Sequence, residues 1–218
     1  MPITIVTHTN PAAGRDITRS VESVEAAIEG VSGVTHKIIE HDGDPISFLK
    51  ARWDATKLDD YVIFVDDDDY IPKNAIKLCK LALDDNPDVG LIYTREMKVM
   101  PDGRVVGSGI IALPYHTAIL TSNMVHHLSV MNTKYITNES LDLVLKYDYG
   151  CEWAMRSEAI SKGGALHIPM VGYYWVQHDN QHHKTYTGNL AEANRKAMVK
   201  EMQAMWPMKY TGMIPEWA

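Results

Sequence analysis

The sequence of 218 residues has only two cysteines, Cys79 and Cys151, so it carries no disulfide framework. No window approaches the roughly 18 apolar residues of a membrane-spanning helix, and residues 2–9 do not resemble a signal peptide. Lysine and arginine form no run longer than a pair, and the net charge of -7 argues against a broad nucleic-acid surface. These absences lead us to expect a soluble, cytoplasmic protein.

No internal repeat and no linker divides the chain. Its composition, 45% hydrophobic and 22% charged, is that of a globular protein, and its length suffices for a sizeable core. We therefore predict a single domain over residues 1–218, with a C-terminal helix and tail from about residue 186.

Apolar strand patterns alternate with helical patterns in the first half of the chain. Strands are predicted over residues 3–7, 35–40, 61–65 and 89–94, and helices over residues 16–29, 46–56 and 74–84. The alternation predicts an α/β fold with a mostly parallel central sheet flanked by helices. The second half is less regular, with a hairpin predicted at 97–106, helical patterning at 141–162, edge strands at 165–169 and 172–176, and a helix at 190–205.

The most informative segment is the apolar run from Val62 to Val65, which is followed by four consecutive aspartates, residues 66–69. The run predicts a buried strand, and the adjacent carboxylates repel one another. A hard divalent cation would relieve this repulsion and bridge to substrate phosphates. Because ligands of open α/β sheets bind at the carboxyl ends of the strands, the segment predicts a metal–phosphate site; a solvated acidic turn is the alternative.

Six segments, in order over about residues 3–185, resemble the nucleotide-sugar glycosyltransferases of the GT-A fold and family-2 type. They are Ile3-Thr4-Ile5-Val6-Thr7-His8-Thr9-Asn10, His41-Asp42-Gly43-Asp44, Lys50-Ala51-Arg52, Phe64-Val65-Asp66-Asp67-Asp68-Asp69-Tyr70-Ile71-Pro72, Asp148-Tyr149-Gly150-Cys151-Glu152-Trp153-Ala154-Met155-Arg156 and Tyr173-Tyr174-Trp175-Val176-Gln177-His178. The fourth segment matches the DxD element of that family. The resemblance implies a GT-A fold and a metal-dependent, inverting transfer of a sugar from a nucleotide-diphosphate sugar, with a UDP-sugar as the expected donor, to an acceptor hydroxyl.

The resemblance also implies a metal site. Asp66 and Asp68 stand at the first and third positions of the DxD. One of the two, Asp68 by preference, would hold Mn²⁺ or Mg²⁺ on the sugar diphosphate, and Asp66 would face the ribose or the sugar. His178 would be a late contact to the metal or the diphosphate, and an imidazole suits Mn²⁺ better than Mg²⁺.

By the same resemblance, five other residues would form the nucleotide site. Asp42 would accept from the nucleobase, and Arg52 would lie beside the base or a phosphate. The cleft would be shaped by backbone contacts of Thr7, Thr9 and Asn10. His41 stands where the family has an acid, which leaves the choice of nucleobase open.

Two carboxylates are candidates for the base that takes the proton of the acceptor hydroxyl, Asp148 and Glu152. Asp148 lies eight residues before Arg156, and Glu152 four, whereas the family has a compact acid-Arg segment. If the segment is one helix, Asp148 and Glu152 share a face at positions i and i+4. We favour Asp148 on the sequence.

Several alternatives stay open at this stage. The protein could be a nucleotidyltransferase or a non-catalytic nucleotide-sugar-binding domain. The acceptor could be a glycan, a small molecule or a modified nucleic-acid base. His126 and His127 have a structural or an acceptor-facing interpretation, and Trp206 and Trp217 either form a lid over the nucleotide or pack in the tail.

Overall fold

The computed structural model describes residues 1–107, 125–148, 150–178 and 189–206. The strands of this part are β1 Ile3–Thr9, β2 Val34–Glu40, β3 Tyr61–Asp66, β4 Leu91–Val99, β5 Val105–Gly107, β6 Ser129–Asn132 and β7 Ala165–Val176. The helices are α1 Thr18–Ile28, α2 Pro45–Ala55, α3 Ala75–Asp85, α4 Asn138–Tyr147, α5 Cys151–Gly163 and α6 Asn189–Met205, with 3-10 turns at Pro11–Ala13 and Thr133–Tyr135.

One sheet contains all of the described strands, in the order β2-β1-β3-β6-β4. Strands β6 and β5 pair successive parts of one side of β4, and β7 pairs its other side. Only β5 and β6 run against the remaining strands, so the sheet is mostly parallel, as predicted. As a result, the carboxyl ends of β1, β2, β3, β4 and β7 lie at the same edge as the amino end of β6.

Strand β3 occupies the centre of the sheet because its side chains are apolar on both faces. Val62 and Phe64 pack in the core formed with helices α2, α4, α5 and α6. Ile63 and Val65 pack in the opposite core, under α1 and α3. Asp66 ends the strand at the boundary of the first core, which fixes where the acidic run begins.

Two helices replace the continuous helical segment that the sequence predicts around residues 147–156. Asp148 ends α4 in the left-handed conformation, with φ 47° and ψ 46°, and Gly150 before α5 has φ 64°. Residues in this conformation terminate helices. The expectation that Asp148 and Glu152 share one helical face is therefore wrong, since Asp148 belongs to the end of α4 and Glu152 to the first turn of α5.

Strand β7 is continuous where the sequence predicts two edge strands. Its pairing with β4 is irregular on either side of Arg95, and Gly172 lies at this irregularity. A Cβ on Gly172 would lie 2.2 Å from Thr94 Oγ1. The absence of a side chain therefore lets the two strands stay together through the bulge.

The C-terminal helix belongs to the packed body of the protein. Met198 and Met202 on α6, together with Trp206, are buried against α4 and α5. Trp206 is 2% exposed, so it packs in the core, whereas Trp217 lies outside the described residues. Among the helices of the described residues, none combines the length and apolar character that crossing a membrane requires.

Candidate active site

The carboxyl edge of the sheet gathers charged and polar side chains from six parts of the chain. Strand β3 supplies the aspartates, β1 and the turn after it supply Thr9 and Arg15, α2 supplies Arg52, α5 supplies Glu152, the segment before β6 supplies His127, and β7 leads into His178. The chain brings these groups together only through tertiary contacts.

Arg52 is the central cation of the site. Its Nη2 donates to Asp66 Oδ1 at 2.5 Å, and its Nη1 contacts a carboxylate oxygen of Glu152. The guanidinium lies over the rings of Phe48 and Phe64, at 4.4 and 4.9 Å from their centroids, and the residue is 3% exposed. Arg52 is therefore a buried bridge between two carboxylates.

This arrangement holds Asp66 as a carboxylate. Burial alone would raise the pKa of Asp66, but the charge of Arg52 and its hydrogen bond keep that pKa well below the ordinary value. Glu152 also receives a bond from Arg156, four residues later on α5. Arg156 is itself fixed by bonds from Nε to Ser129 Oγ at 3.0 Å and from Nη1 to a backbone carbonyl at 3.2 Å.

Asp68 has partners different from those of Asp66. Its Oδ2 lies 2.6 Å from His178 Nε2 and 3.4 Å from Arg15 Nη1. Burial and the neighbouring charge of Asp66 raise the pKa of Asp68, and His178 and Arg15 only partly offset this. The Asp68 carboxylate and the His178 imidazole are a suitable pair of ligands for a divalent cation. A bound cation would favour the charged form of Asp68.

The other two aspartates of the run have structural partners. Asp67 accepts from Thr9 Oγ1 at 3.0 Å and from Arg15 Nη1 at 2.8 Å. Asp69 accepts from the Tyr173 hydroxyl at 2.8 Å and from the backbone N–H of Val176 at 2.7 Å. Asp67 thus joins β3 to β1, and Asp69 joins it to β7.

His127 lies between Asp66, a candidate for contact with the nucleotide-sugar, and Glu152, a candidate for the catalytic base. Its ring stacks on Tyr173 with centroids 4.6 Å apart, and Nε2 is 3.7 Å from Asp66 Oδ2 and 3.6 Å from Glu152 Oε2. Burial lowers the pKa of His127 well below its ordinary value, and the neighbouring His126 adds to this effect. The ring is therefore neutral near pH 7.

The predicted nucleotide residues line the ends of β1 and β2. Thr7 is fully buried, its side chain bonds to His36 Nε2 at 2.9 Å, and its backbone lies between β2 and β3, so the structure does not offer it to a ligand. Asn10 caps the 3-10 turn through Ala12 N–H at 3.0 Å, and a Cβ on Gly43 would lie 2.5 Å from its Nδ2. The two turns therefore meet, and Asp42 stands exposed beside them, accepting from Asp44 N–H at 3.0 Å.

Two groups within the described residues have the donor atoms for a metal ion, Asp66 with His127 and Glu152, and Asp66 with Asp68 and Asp69. In the first group, Arg52 and Arg156 already neutralise the carboxylates, so a dication there would meet two positive charges. In the second, Asp69 is committed to its structural bonds. Asp68, with His178 and the free side of Asp66, fits a hard cation best.

The structure thus brings Asp66, Asp68, Arg52, Glu152 and His178 into one site, and it places Asp148, exposed, at the end of α4. Sequence reasoning missed Arg15 as a partner of the acidic run and the structural roles of Asp67 and Asp69. Arg15 follows a Gly in a turn after β1, a position at the correct edge of the sheet, and this placement is the one local signal of its role.

No protein-family model matches the sequence, and no curated protein matches it. Solved structures do match, and the crystal structure of S. aureus TarS 1-349 has a TM-score of 0.56 and 16% identity, covering 93% of this chain and 70% of that one. The complex of the same TarS fragment with UDP-GlcNAc gives 0.55 and 14%, with 93% and 71% covered. In the longer structure of S. aureus TarS, at a TM-score of 0.54 and 16% identity, the match covers 43% of that chain. The predicted GT-A fold is confirmed by this likeness, and the chain has the fold of TarS.

Proposed function

We propose that this chain is a glycosyltransferase that moves a sugar from a UDP-sugar to an acceptor hydroxyl, with Mn²⁺ or Mg²⁺ and with inversion at the anomeric carbon. The observation that carries the proposal is the meeting of Asp66 and Asp68 with Glu152 at the carboxyl edge of a sheet with the TarS fold. TarS has been solved with UDP and with UDP-GlcNAc, which supports a UDP-sugar as the donor class.

The donor half of the site follows from the charges. The ends of β1 and β2 would hold the nucleoside through the backbone of Thr9 and Asn10 and through Asp42. Asp68 and His178 would hold the metal ion, which supplies positive charge to the leaving diphosphate. Asp66, paired with Arg52, would face the ribose or the sugar, and Arg52 would lie within reach of the diphosphate.

The acceptor half needs one base. Direct displacement at the anomeric carbon releases one proton from the attacking hydroxyl and requires no covalent intermediate. We assign the base to Glu152 in preference to Asp148, because Glu152 shares Arg52 with Asp66 while Asp148 caps α4. In this assignment Glu152 takes the hydroxyl proton and UDP departs with the electrons of the glycosidic bond.

The acceptor is a hydroxyl compound whose class the fold leaves open among glycans, small molecules and modified nucleic-acid bases. The compartment that we propose is the cytoplasm, since Cys79 is a buried free thiol and the sequence carries no disulfide framework.

The direct test is release of UDP from UDP-GlcNAc and related UDP-sugars in the presence of Mn²⁺, for the wild type and for Asp66→Asn and Asp68→Asn. Both variants keep the shape of the side chain and lose its charge, so we expect UDP release to fall by about 100-fold or more. Asp85→Asn, on the exposed end of α3, is the matched control and should keep full activity. Unchanged release in both site variants would refute the site.

A further inference from the structure

His127 has an unusual position between two carboxylates that the proposed reaction uses for different purposes. Its Nε2 is almost equidistant from Asp66 Oδ2, at 3.7 Å, and from Glu152 Oε2, at 3.6 Å. The ring cannot tilt freely, because it stacks on Tyr173 at 4.6 Å and meets the ring of His126 edge-on at 4.4 Å. His127 is 4% exposed.

A neutral imidazole has one N–H to donate, and here two acceptors compete for it. Both oxygens lie beyond hydrogen-bond distance by about half an ångström, so a small movement of either carboxylate completes one bond. The proton is favoured on Nε2, because a lone pair there would meet two carboxylate oxygens, whereas Nδ1 has no hydrogen-bond partner among the described residues.

The other partners of Glu152 are both guanidinium groups, Arg52 and Arg156. Cations lower the proton affinity of a carboxylate, so a base held by two of them is a weak one. Arg52 also binds Asp66, and a diphosphate bound beside Asp66 would compete for its charge-assisted hydrogen bonds. A neutral donor can orient Glu152 with a smaller loss of basicity than a second cation.

We propose that His127 is a positioning residue that donates its Nε2–H to Glu152 and holds that carboxylate toward the acceptor hydroxyl while Arg52 contacts the donor diphosphate. This inference rests on the proposed glycosyltransferase function. The bond of His127 to Glu152 changes the orientation of the base, and His127 itself contacts neither substrate.

Two substitutions distinguish the effect of the His127 N–H from the effect of its aromatic ring. His127→Phe keeps the ring that stacks on Tyr173 and loses the donor, whereas His127→Gln loses the ring and keeps an N–H near the position of Nε2. With UDP-GlcNAc as donor, water as acceptor and Mn²⁺ present, we expect His127→Phe to slow UDP release by about 10- to 100-fold. His127→Gln should recover most of that loss, and the affinity for UDP should stay within about threefold in both variants.

His167 provides a matched control, because it stacks on Tyr93 at 4.9 Å in the same manner and contacts neither Asp66 nor Glu152 in the described part of the chain. His167→Phe should therefore turn over like the wild type. If His127→Phe is as active as the wild type, or if it is more active than His127→Gln, the ring matters and not the N–H, and the inference is overturned. A wild type that neither binds UDP nor releases it would instead overturn the proposed function, and this inference with it.

A spectroscopic measurement on the wild type decides the same point without turnover. Nitrogen-15 chemical shifts of the imidazoles, assigned by comparison with His127→Phe, report which ring nitrogen carries the proton. We expect His127 to be neutral with its proton on Nε2 near neutral pH. A proton on Nδ1 alone would overturn the inference, because Nε2 could then donate to neither carboxylate.

Discussion

At the scale of single residues, the four aspartates of the acidic run differ by their partners and not by their order. Asp66 and Asp68 are half-buried and face the cleft, while Asp67 and Asp69 are buried and bonded to β1 and β7. Asp66 ends β3, and the chain then turns, with the Asp69 N–H donating to the Asp66 carbonyl at 3.2 Å, so the four carboxylates reach different partners. Asp69 allows the sharpest test of this division.

Burial, with the charges of Asp66 and Asp68, raises the pKa of Asp69 well above its ordinary value. The folded state thus binds the Asp69 proton more tightly than the unfolded state, and this carboxyl stabilises the fold below its unfolded pKa of about 3.9. That contribution is lost as the pH rises through the folded pKa. We therefore expect the free energy of unfolding of Asp69→Asn, relative to the wild type, to increase between about pH 4.5 and about pH 8.

Urea unfolding of both proteins at the two pH values measures this difference. Asp69→Ala should lose about 2 kcal/mol at pH 4.5, because the Tyr173 hydroxyl and the Val176 N–H are then left without their acceptor, and less at pH 8, because this variant also lacks the titrating carboxyl. Asp69→Asn should also keep Mn²⁺-dependent binding of UDP. A folded Asp69→Asn variant without that binding would identify Asp69 as a metal ligand and contradict its structural role.

At the scale of elements, the pairing of β4 with β7 positions Tyr173 beside the site. Tyr173, which carries both the Asp69 bond and the His127 stack, directly follows Gly172. An alanine at position 172 would place its Cβ 2.2 Å from Thr94 Oγ1, and that hydroxyl oxygen accepts from Leu128 N–H at 3.3 Å, so it has little room to move.

We expect Gly172→Ala to lower the free energy of unfolding by about 2 kcal/mol through overpacking, and to weaken UDP binding through displacement of Tyr173. Gly107→Ala is the control, since a Cβ there would have nothing within 4 Å and the variant should stay within about 0.5 kcal/mol of the wild type. Urea midpoints and UDP affinities of the two variants check this. Equal stability of both would mean that β7 can shift without cost.

The elements themselves could largely be predicted from local pattern. The helices and parallel strands of the first half appear within a few residues of their predicted bounds, because period and turn residues specify them locally. The break between α4 and α5 was missed, although Gly150 adopts the left-handed conformation there. The apolar periodicity on both sides of residues 148–150 is that of one continuous helix, and a single glycine is a weak signal for a break.

Only those residues of the site that directly follow strands could be predicted from the sequence. The acidic run and Asp42 follow strands whose carboxyl ends share one edge, and this is a consequence of topology. The pairing of Arg52 with Asp66 and Glu152 joins residues far apart in sequence, as does the stack of His127 on Tyr173. Such contacts follow from how the elements pack, for which the sequence has no local signal.

At the scale of the whole molecule, the chain shares its fold with TarS over 93% of its length, yet matches 43% of the longer TarS structure. Within this fold, Asp66 meets Arg52 and, through it, Glu152 at the carboxyl edge of the sheet. The central claim is therefore that this edge is a nucleotide-diphosphate site in its own right, whatever the acceptor.

Isothermal titration calorimetry of UDP and GDP, each with and without Mn²⁺, tests that claim most directly. We expect micromolar binding of UDP that requires Mn²⁺, weaker binding of GDP, and loss of the metal-dependent part in Asp68→Asn. Absence of binding for both nucleotides, with and without the metal, would contradict it and would make the acidic run a structural turn that ties β3 to its neighbours.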